Sequence, residues 1–287
     1  MGKYACMLTG PAGAGKSTLA AALITHAQAS GRNVHLFNLD PAAERFEFAP
    51  SIDIKELISL EDVMTEMELG PNGGLVYCFE YLMDNLDWLS EQLSEYNDDY
   101  LIIDCPGQIE LYTHTSLLSR FINTLSTSFN YRVMACYLLE SNFIDDVNKY
   151  FAGTLSAMSS MVNLEVPMIN VLSKVDLLKK GEAGSSRHLI ARAGRTGKDL
   201  ERFLDPDPTL ILSEANSHNP KFYNLNKAIV QLIEDFSLIN FHPLDLTSED
   251  SVGDLLSHID NCMQYGEDEE PKEPKDMDMG DFAEAEE

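Results

Sequence analysis

A glycine-rich segment near the N-terminus limits the possible folds of this chain more than any other feature. Residues Gly10–Thr18 read GPAGAGKST, which matches the pattern G-x-x-x-x-G-K-S/T. An apolar, strand-like run precedes the segment and a helical pattern follows it. In that context successive backbone N–H groups can converge on phosphate oxygens, and the helix adds the positive end of its dipole. The segment predicts a phosphate-binding loop, and a chance glycine-rich turn is the less favoured alternative.

Two side chains of this loop have specific predicted roles. Lys16 should neutralise the β and γ phosphates of a nucleoside triphosphate, and the Ser17 hydroxyl should bind Mg²⁺ that bridges the same phosphates. The predicted nucleotide contacts of the loop are Gly13, Ala14, Gly15, Lys16, Ser17 and Thr18.

Apolar runs of strand length recur along the chain and alternate with helical patterns. The predicted strands are Tyr4–Thr9, Val34–Leu39, Tyr100–Ile103, Val133–Leu139, Met168–Leu172 and Leu238–His242. Parallel strands need crossovers of this kind. We therefore expect an α/β fold of the P-loop NTPase class, with a mostly parallel sheet flanked by helices on both faces.

Two further segments have helical periodicity. Leu75–Tyr96 and Asn219–Phe236 carry apolar residues at three- and four-residue steps, and Pro220 suits the start of the second helix. We interpret both apolar faces as core packing. The face predicted for the second helix comprises Phe222, Leu225, Ile229, Leu232, Ile233 and Phe236.

A second motif follows the predicted strand that ends at Ile103. Residues Asp104–Gln108 read DCPGQ, a D-x-x-G-Q pattern that is weak alone and strong after a phosphate loop. Asp104 can hold Mg²⁺ through water, and the N–H of Gly107 can approach the γ phosphate. Gln108 is then placed to orient the attacking water.

A third acidic position, Asp40, follows the second predicted strand. It should reach the carboxyl edge of the sheet, where ligands of open α/β folds gather. Two roles are open there, a contact with metal-bound water or the role of a base. Taken alone, the position is equally typical of an aspartate that caps a helix or a turn.

The segment Ser173–Asp176 predicts which base is bound. It reads SKVD, a variant of the N-K-x-D guanine reader, and its predicted nucleotide contacts are Ser173, Lys174, Val175 and Asp176. Asp176 only accepts hydrogen bonds, so it can pair with the N1–H and N2 donors of guanine and not with adenine. Lys174 can lay its stem along the base. Because Ser173 lacks the usual amide, we expect loss of a connection to the phosphate loop or to the base edge, and a weaker affinity for guanine.

With Gly70, Pro71 and Asn72 added, the chain resembles the GPN-loop GTPases, a family defined by this tripeptide between the phosphate loop and the D-x-x-G motif. The resemblance covers about Met1–Gly266 and includes Phe241–Asp245, which it identifies with the family's second base-contacting loop. Without the family, Gly70–Gly74 would be interpreted only as a tight turn between two helices.

The resemblance implies GTP hydrolysis with Mg²⁺ in a dimer, formed with a paralogous GPN-loop GTPase or with a second copy. The tripeptide of one subunit would reach the other subunit's phosphate site, so Asn72 would contact the γ phosphate in trans. The resemblance further implies an assembly and nuclear import factor for RNA polymerase II subunits. The expected location is cytoplasmic, with shuttling to the nucleus as a further possibility.

Composition excludes several other classes of function. The formal net charge of −27 over 287 residues opposes direct binding of nucleic acid through a basic surface. No apolar stretch is long enough to span a bilayer and no signal peptide is evident, so neither membrane binding nor secretion is expected. The five cysteines lie far apart and are expected to be buried as small hydrophobic residues.

We expect a single GTPase domain over residues 1–266. Within it, residues 41–98 form an insertion that carries the GPN loop, and residues 179–209 form a surface excursion. Residues 267–287 are acidic and poor in apolar side chains, as is typical of a disordered tail.

Two other functions stay open from the residues alone. One is an ATP-dependent small-molecule kinase, which would explain the phosphate loop but neither Asp176 nor Gln108. The other is a scaffold that binds GTP with negligible turnover.

Overall fold

The computed structural model describes residues 2–44, 46–96, 100–180, 203–204, 220–235 and 239–267. Within these residues lies a seven-stranded parallel sheet in the order β3-β2-β4-β1-β5-β6-β7. The strands are β1 Lys3–Thr9, β2 Val34–Asn38, β3 Ile52–Asp53, β4 Tyr100–Asp104, β5 Tyr131–Glu140, β6 Met168–Ser173 and β7 Phe241–Pro243. This sheet confirms the predicted α/β architecture.

Helices connect the strands and cover both faces of the sheet. They are α1 Lys16–Ala29, α2 Leu60–Glu66, α3 Pro71–Asp84, α4 Leu86–Ser94, α5 Glu110–Thr113, α6 Leu117–Thr127, α7 Val147–Leu164, α8 Val175–Lys180, α9 Tyr223–Asp235 and α10 Glu249–Met263. Short 3-10 turns occupy Ile54–Glu56, Ser141–Asp145 and Pro220–Phe222. None of the helices in the described ranges is long and apolar enough to cross a membrane.

Strand β1 shows why both faces need cover. Successive side chains of a strand point to opposite faces, and all but the first residue of β1 are buried. Met7 packs in the core beneath α3, α4 and α6, whereas Leu8 packs in the core beneath α1 and α10. A third cluster, which includes Tyr150 and Phe241, fills the space between α7, α9 and the β6–β7 edge.

The strand register brings the ends of several strands together. Asp104 lies opposite both Leu8 and Asn38, and Ser173 lies opposite Glu140. All these strands run in one direction, so the loops that follow them lie at the same carboxyl edge of the sheet.

The structure corrects several details of the sequence predictions. The predicted Leu75–Tyr96 helical pattern is split at Asn85 into α3 and α4, although its apolar face is buried as expected. The short strand β3 lies inside the insertion and was not predicted. Of the five cysteines, Cys262 is exposed and was wrongly expected to be buried.

The apolar face predicted for Asn219–Phe236 is only partly in the core. Ile233 is buried, but Phe222, Leu225 and Leu232 are 52%, 55% and 42% exposed. The core interpretation is therefore wrong for these three side chains. Phe236 and Leu238 lie outside the described residues, as do nearly all of the predicted excursion 179–209 and of the predicted tail 267–287.

Gly10 follows β1 and lies so close to the backbone of β5 that there is no space for a side chain. Its φ is +128°, and a Cβ there would lie 2.4 Å from the backbone oxygen of Leu138. Gly10→Ala should therefore lower the free energy of unfolding by about 3 kcal/mol or more, measured by urea denaturation.

Gly31→Ala is the matched control. Gly31 has φ +73° but open space around its Cβ position, so only backbone strain of about 1–2 kcal/mol is expected. Equal losses of stability in the two variants would contradict the steric account of Gly10.

Candidate active site

The turn between β1 and α1 leaves backbone N–H groups available to a ligand. Gly13 and Gly15 have φ of +79° and +95°, which lets the chain fold back before the helix begins. Gly15 occupies the N-cap of α1, and no side chain caps the helix there. The first N–H groups of the helix can therefore bind an anion, as the sequence predicts.

Lys16 is held over this turn. Its side chain is buried, and Nζ donates to the carbonyl oxygens of Gly10 and Pro11 at 3.0 and 3.1 Å. Burial lowers the pKa of Lys16, while the charges of Asp104 and Asp40 partly oppose that shift. A phosphate oxygen beside this ammonium would stabilise its charged form.

Asp104 ends β4 in a position suited to a hard cation. Its carboxylate is buried, and Oδ1 has no hydrogen-bond partner within the described residues. Burial raises the pKa of Asp104, whereas a hydrogen bond from Ser17 and the charge of Lys16 act in the opposite direction. An unpaired buried carboxylate oxygen beside a serine hydroxyl is the donor chemistry that Mg²⁺ takes in nucleotide sites, so Ser17 and Asp104 fit the ion.

The described residues contain no group of three or more His, Cys, Asp or Glu side chains that could hold a metal ion. Mg²⁺ in phosphate sites is held by one or two protein ligands together with water and substrate oxygens. The pair Ser17 and Asp104 therefore suits an ion that arrives with the nucleotide.

Asp40 is fixed by a network that starts on β2. The Asn38 side chain accepts from the Asp40 N–H at 3.0 Å and donates both to the Asp40 carbonyl, at 3.1 Å, and to Asp53 Oδ1, at 2.8 Å. The N–H of Leu39 also donates to the carbonyl of Asp104 at 2.9 Å. Burial raises the pKa of Asp40, opposed by the N–H of Ala42 and the charge of Lys16. Asp53 was missed, because a two-residue strand leaves little periodic signal.

The D-x-x-G turn lies directly against the phosphate loop. A Cβ on Gly107 would lie 2.7 Å from the Cα of Ala12, so only glycine permits this approach of the two backbones. Gln108 follows, half-buried, and its side chain makes no hydrogen bond to another described residue. The structure thus places Gly107 against the phosphate loop, and the roles of Gly107 and Gln108 toward phosphate and water stay predictions.

The base-reading segment is connected to the phosphate loop by Ser173. Its hydroxyl donates to the carbonyl of Ala14 at 2.7 Å and lies 3.3 Å from the carbonyl of Leu139. The expectation that serine loses this connection is therefore wrong. The hydroxyl spans the gap because the end of β6 lies close to the loop.

Lys174 adopts a left-handed backbone conformation, with φ +61°. Two residues at the end of β5 hold it there: Glu140 pairs with Lys174 Nζ at 2.9 Å, and the Ser141 hydroxyl donates to its carbonyl at 2.9 Å. Neither residue was predicted, because the contacts join segments more than thirty positions apart. Left-handed backbone at a non-glycine residue carries strain of about 1–3 kcal/mol, which the surrounding bonds must sustain.

The second proposed base loop meets the first. The N–H of Val175 donates to the carbonyl of Leu244 at 3.2 Å, and the N–H of Leu244 donates to the carbonyl of Leu172 at 2.9 Å. Asp176 lies in the first turn of α8. The Phe241–Asp245 segment thus adjoins the segment that carries Asp176.

The GPN tripeptide is exposed at the start of α3. Gly70 is the N-cap of α3, Pro71 is its first residue, and both are exposed together with Asn72. No hydrogen bond joins the Asn72 side chain to another described residue. The alternative interpretation of Gly70–Gly74 as a tight turn is wrong for most of the segment, because Pro71–Gly74 form the first turn of α3 and only Gly70 precedes the helix.

Taken together, these geometries define a P-loop nucleotide site at the carboxyl edge of a parallel sheet. A sequence-family model described as conserved hypothetical ATP binding protein matches residues 8–265. The chain is 69% identical to GPN-loop GTPase 3 of Mycosarcoma maydis, over 98% of this chain and 99% of that protein. Identity to GPN-loop GTPase 3 of Schizosaccharomyces pombe is 52%, with the same two coverages.

A solved structure supports the same architecture. The apo form of a GTPase from Pyrococcus abyssi superposes with a TM-score of 0.70, over 90% of this chain and 97% of that one, at 22% identity. The chain belongs to the GPN-loop GTPase family, and its high-identity relatives carry the name GPN-loop GTPase 3. This membership makes the chain a GTP hydrolase, as predicted.

Asp104→Asn tests whether the buried carboxylate lowers the stability of the apo protein and whether it binds Mg²⁺. The raised pKa means that the folded chain disfavours the ionised form, so the apo protein gains stability as pH falls through that pKa. At neutral pH the neutral amide should raise the melting temperature of apo protein by roughly 2–4 °C. It should also remove the extra stabilisation that Mg²⁺ adds to GTP.

The control for that variant is Asp84→Asn at an exposed position on α3. It should change neither the apo melting temperature nor the effect of Mg²⁺. Full retention of the Mg²⁺ effect in Asp104→Asn, measured by thermal denaturation, would rule out the proposed metal contact.

Ser173→Ala tests the connection between the base segment and the phosphate loop. Loss of one buried hydrogen bond should weaken GDP binding by about 1 kcal/mol, or roughly fivefold, in calorimetric titration. Ser30→Ala is the control: it removes an exposed hydroxyl that donates to the carbonyl of His26, and this variant should bind GDP normally. Unchanged affinity in Ser173→Ala would contradict a role for this contact.

Proposed function

We propose that this chain hydrolyses GTP with Mg²⁺ at the described site and that hydrolysis controls a partner-binding surface. The observation that carries the proposal is the group of buried Lys16, buried Asp104 and half-buried Asp40 beside a phosphate loop with an uncapped helix start. These opposed charges are poorly solvated, and a nucleotide with its cation would supply the partners that they lack.

Each residue has a separate proposed role in the reaction. Lys16 stabilises the phosphate charge, and Ser17 and Asp104 hold Mg²⁺, which would polarise the phosphate oxygens when bound. Gln108 orients the attacking water, and Asp40 contacts metal-bound water or accepts a proton. Asp176 selects guanine.

We further propose that the active form is a dimer, with a paralogous GPN-loop GTPase or a second copy of the chain. The surface around the tripeptide supports this proposal. Met64, Met67 and Leu69 are 36%, 49% and 36% exposed, and Glu68 beside them has a left-handed φ of +52°. Exposed apolar side chains grouped in sequence are typical of interaction sites. Asn72 follows this region in the first turn of α3 and is exposed, so it is available to a neighbouring subunit.

The proposed biological role is that of an assembly and nuclear import factor for RNA polymerase II subunits. The resemblance described above supports this role. The proposed location is cytoplasmic, with shuttling to the nucleus. Affinity purification from cells should recover polymerase subunits and a sibling GTPase. Recovery of neither would contradict this role and leave GTP hydrolysis as the supported function.

Asn72→Ala tests the contribution of the tripeptide. Removal of a group that contacts transferring phosphate should lower the rate of GTP hydrolysis by the assembled dimer on the order of 10²-fold, with little change in GTP affinity. Asn85→Ala, at the opposite end of α3, is the control and should hydrolyse GTP normally.

Mixed dimers show whether Asn72 acts in trans. In self-paired protein, a mixture of Asn72→Ala and Lys16→Ala subunits should regain activity, since one site then has an intact lysine and a partner's intact asparagine. In a pair with a paralogue, Asn72→Ala should slow hydrolysis at the paralogue's site. Full activity of an isolated monomer would contradict the dimer.

A further inference from the structure

The short helix α5 follows the D-x-x-G-Q motif and cannot be stable by itself. It spans four residues, Glu110–Thr113, far fewer than an isolated helix needs. The helix is hydrogen-bonded to the last residue of the motif: the carbonyl of Gln108 accepts from the N–H of Leu111 at 3.3 Å. Any shift of α5 therefore moves Gln108, and contacts with the rest of the protein must fix the helix.

The first of these contacts joins Tyr112 in α5 to Pro106, at the start of the turn before the helix. Tyr112 is fully buried, and its hydroxyl donates to the carbonyl of Pro106, the residue before Gly107. The ring of Tyr112 thus holds the turn and the helix against each other from inside the core.

The other contact comes from a distant helix. Asn163, near the end of α7, donates through Nδ2 to the carbonyls of Tyr112 and Thr115, both at 2.8 Å. The carbonyl of Tyr112 belongs to the last turn of α5, where no further residue of the helix bonds to it, and the carbonyl of Thr115 lies two residues beyond the end of the helix. The hydroxyl of Ser159 also approaches the carbonyl of Thr113, at 3.5 Å.

The contact depends on the donors of the Asn163 amide. Both of its partners are carbonyl oxygens, which accept and never donate, and the two N–H groups on Nδ2 satisfy them together. A carboxylate of the same shape would direct lone pairs at two carbonyls and leave all three groups unsatisfied.

We propose that Asn163 is a positioning residue for GTP hydrolysis, which fixes α5 and thereby the Gly107–Gln108 turn against the phosphate loop. The proposal rests on the roles given to Gly107 and Gln108 above. Asn163 has no hydrogen bond to the phosphate loop or to the Ser173–Asp176 segment, so its effect passes through α5.

The surroundings of Asn163 allow a variant to fold. The side chain is half-buried and borders a cavity of about 620 Å³, which is also lined by Ser116, Val162 and Leu232. A substitution there neither removes a core side chain nor forces one into a packed interior.

The test compares Asn163→Asp and Asn163→Ala with the parent chain, each assembled with its partner subunit. Misplacement of a reacting group by about 1 Å can lower a rate 10²-fold, so we expect kcat to fall roughly tenfold or more in Asn163→Asp. KM for GTP and the affinity for GDP should stay within about twofold of the parent, because the proposal leaves the binding contacts intact. Asn163→Ala should show the same split with a smaller fall in kcat.

Asn148→Ala is the control on the same helix. The Asn148 side chain is exposed in the first turn of α7, and only its backbone N–H bonds to Asp146. It should match the parent in kcat. A fall equal to that of Asn163→Ala would show a general effect of α7 and overturn the proposal.

Hydrogen exchange separates this proposal from the role of Gln108. Amides of residues 107–115 should exchange faster in Asn163→Asp, while those of the phosphate loop keep the parent rate. Normal exchange or normal kcat in Asn163→Asp would overturn the proposal. If Gln108→Ala keeps a normal kcat while Asn163→Asp does not, the role of Gln108 is wrong and the contact acts through Gly107.

Discussion

The whole site depends on opposed charges buried at one edge of a parallel sheet. Lys16 and Asp104 are both largely removed from water, and burial is the largest cause of each pKa shift, lowering the pKa of Lys16 and raising that of Asp104. The charge of Asp104 opposes the shift of Lys16, and the hydrogen bond from Ser17, followed by the charge of Lys16, opposes that of Asp104. Such a cluster is poorly stabilised by the protein alone, because desolvation of ions exceeds their mutual attraction unless further partners are present. A nucleotide with its cation supplies those partners, so the site is built to be completed by its ligand.

The neighbouring segments hold this edge in place through hydrogen bonds between loops. Ser173 joins the base segment to Ala14, Asn38 connects Asp40 to Asp53, and Gly107 lies against Ala12. Each connection joins segments that end or follow different strands, so these contacts fix the positions of the loops relative to one another. A GTP-dependent switch of the kind proposed would act through these connections.

The sequence alone predicted the parts of the site that depend on short patterns. The loop at Lys16 and the turn at Asp104 follow from local motifs and from parallel strands that end at one edge. The role of Ser173 could not be predicted, since a hydroxyl reaches Ala14 only when two distant strand ends lie within hydrogen-bond distance. Periodicity likewise could not distinguish a core face from an exposed one on α9, where Leu225 and Leu232 face solvent. Glu140 and Asn163 act through contacts across the fold, which leave no spacing signal in the chain.

The central claim is that the loop from Gly10 to Thr18 binds the phosphates of a guanine nucleotide together with Mg²⁺. Calorimetric titration of GTP into the full chain, with and without Mg²⁺ and with ATP as the competitor, tests it most directly. The account predicts binding that strengthens with Mg²⁺ and is at least roughly tenfold weaker for ATP, since Asp176 accepts from guanine and not from adenine. Absence of heat from GTP with Mg²⁺ on folded protein, or equal affinity for ATP, would contradict it.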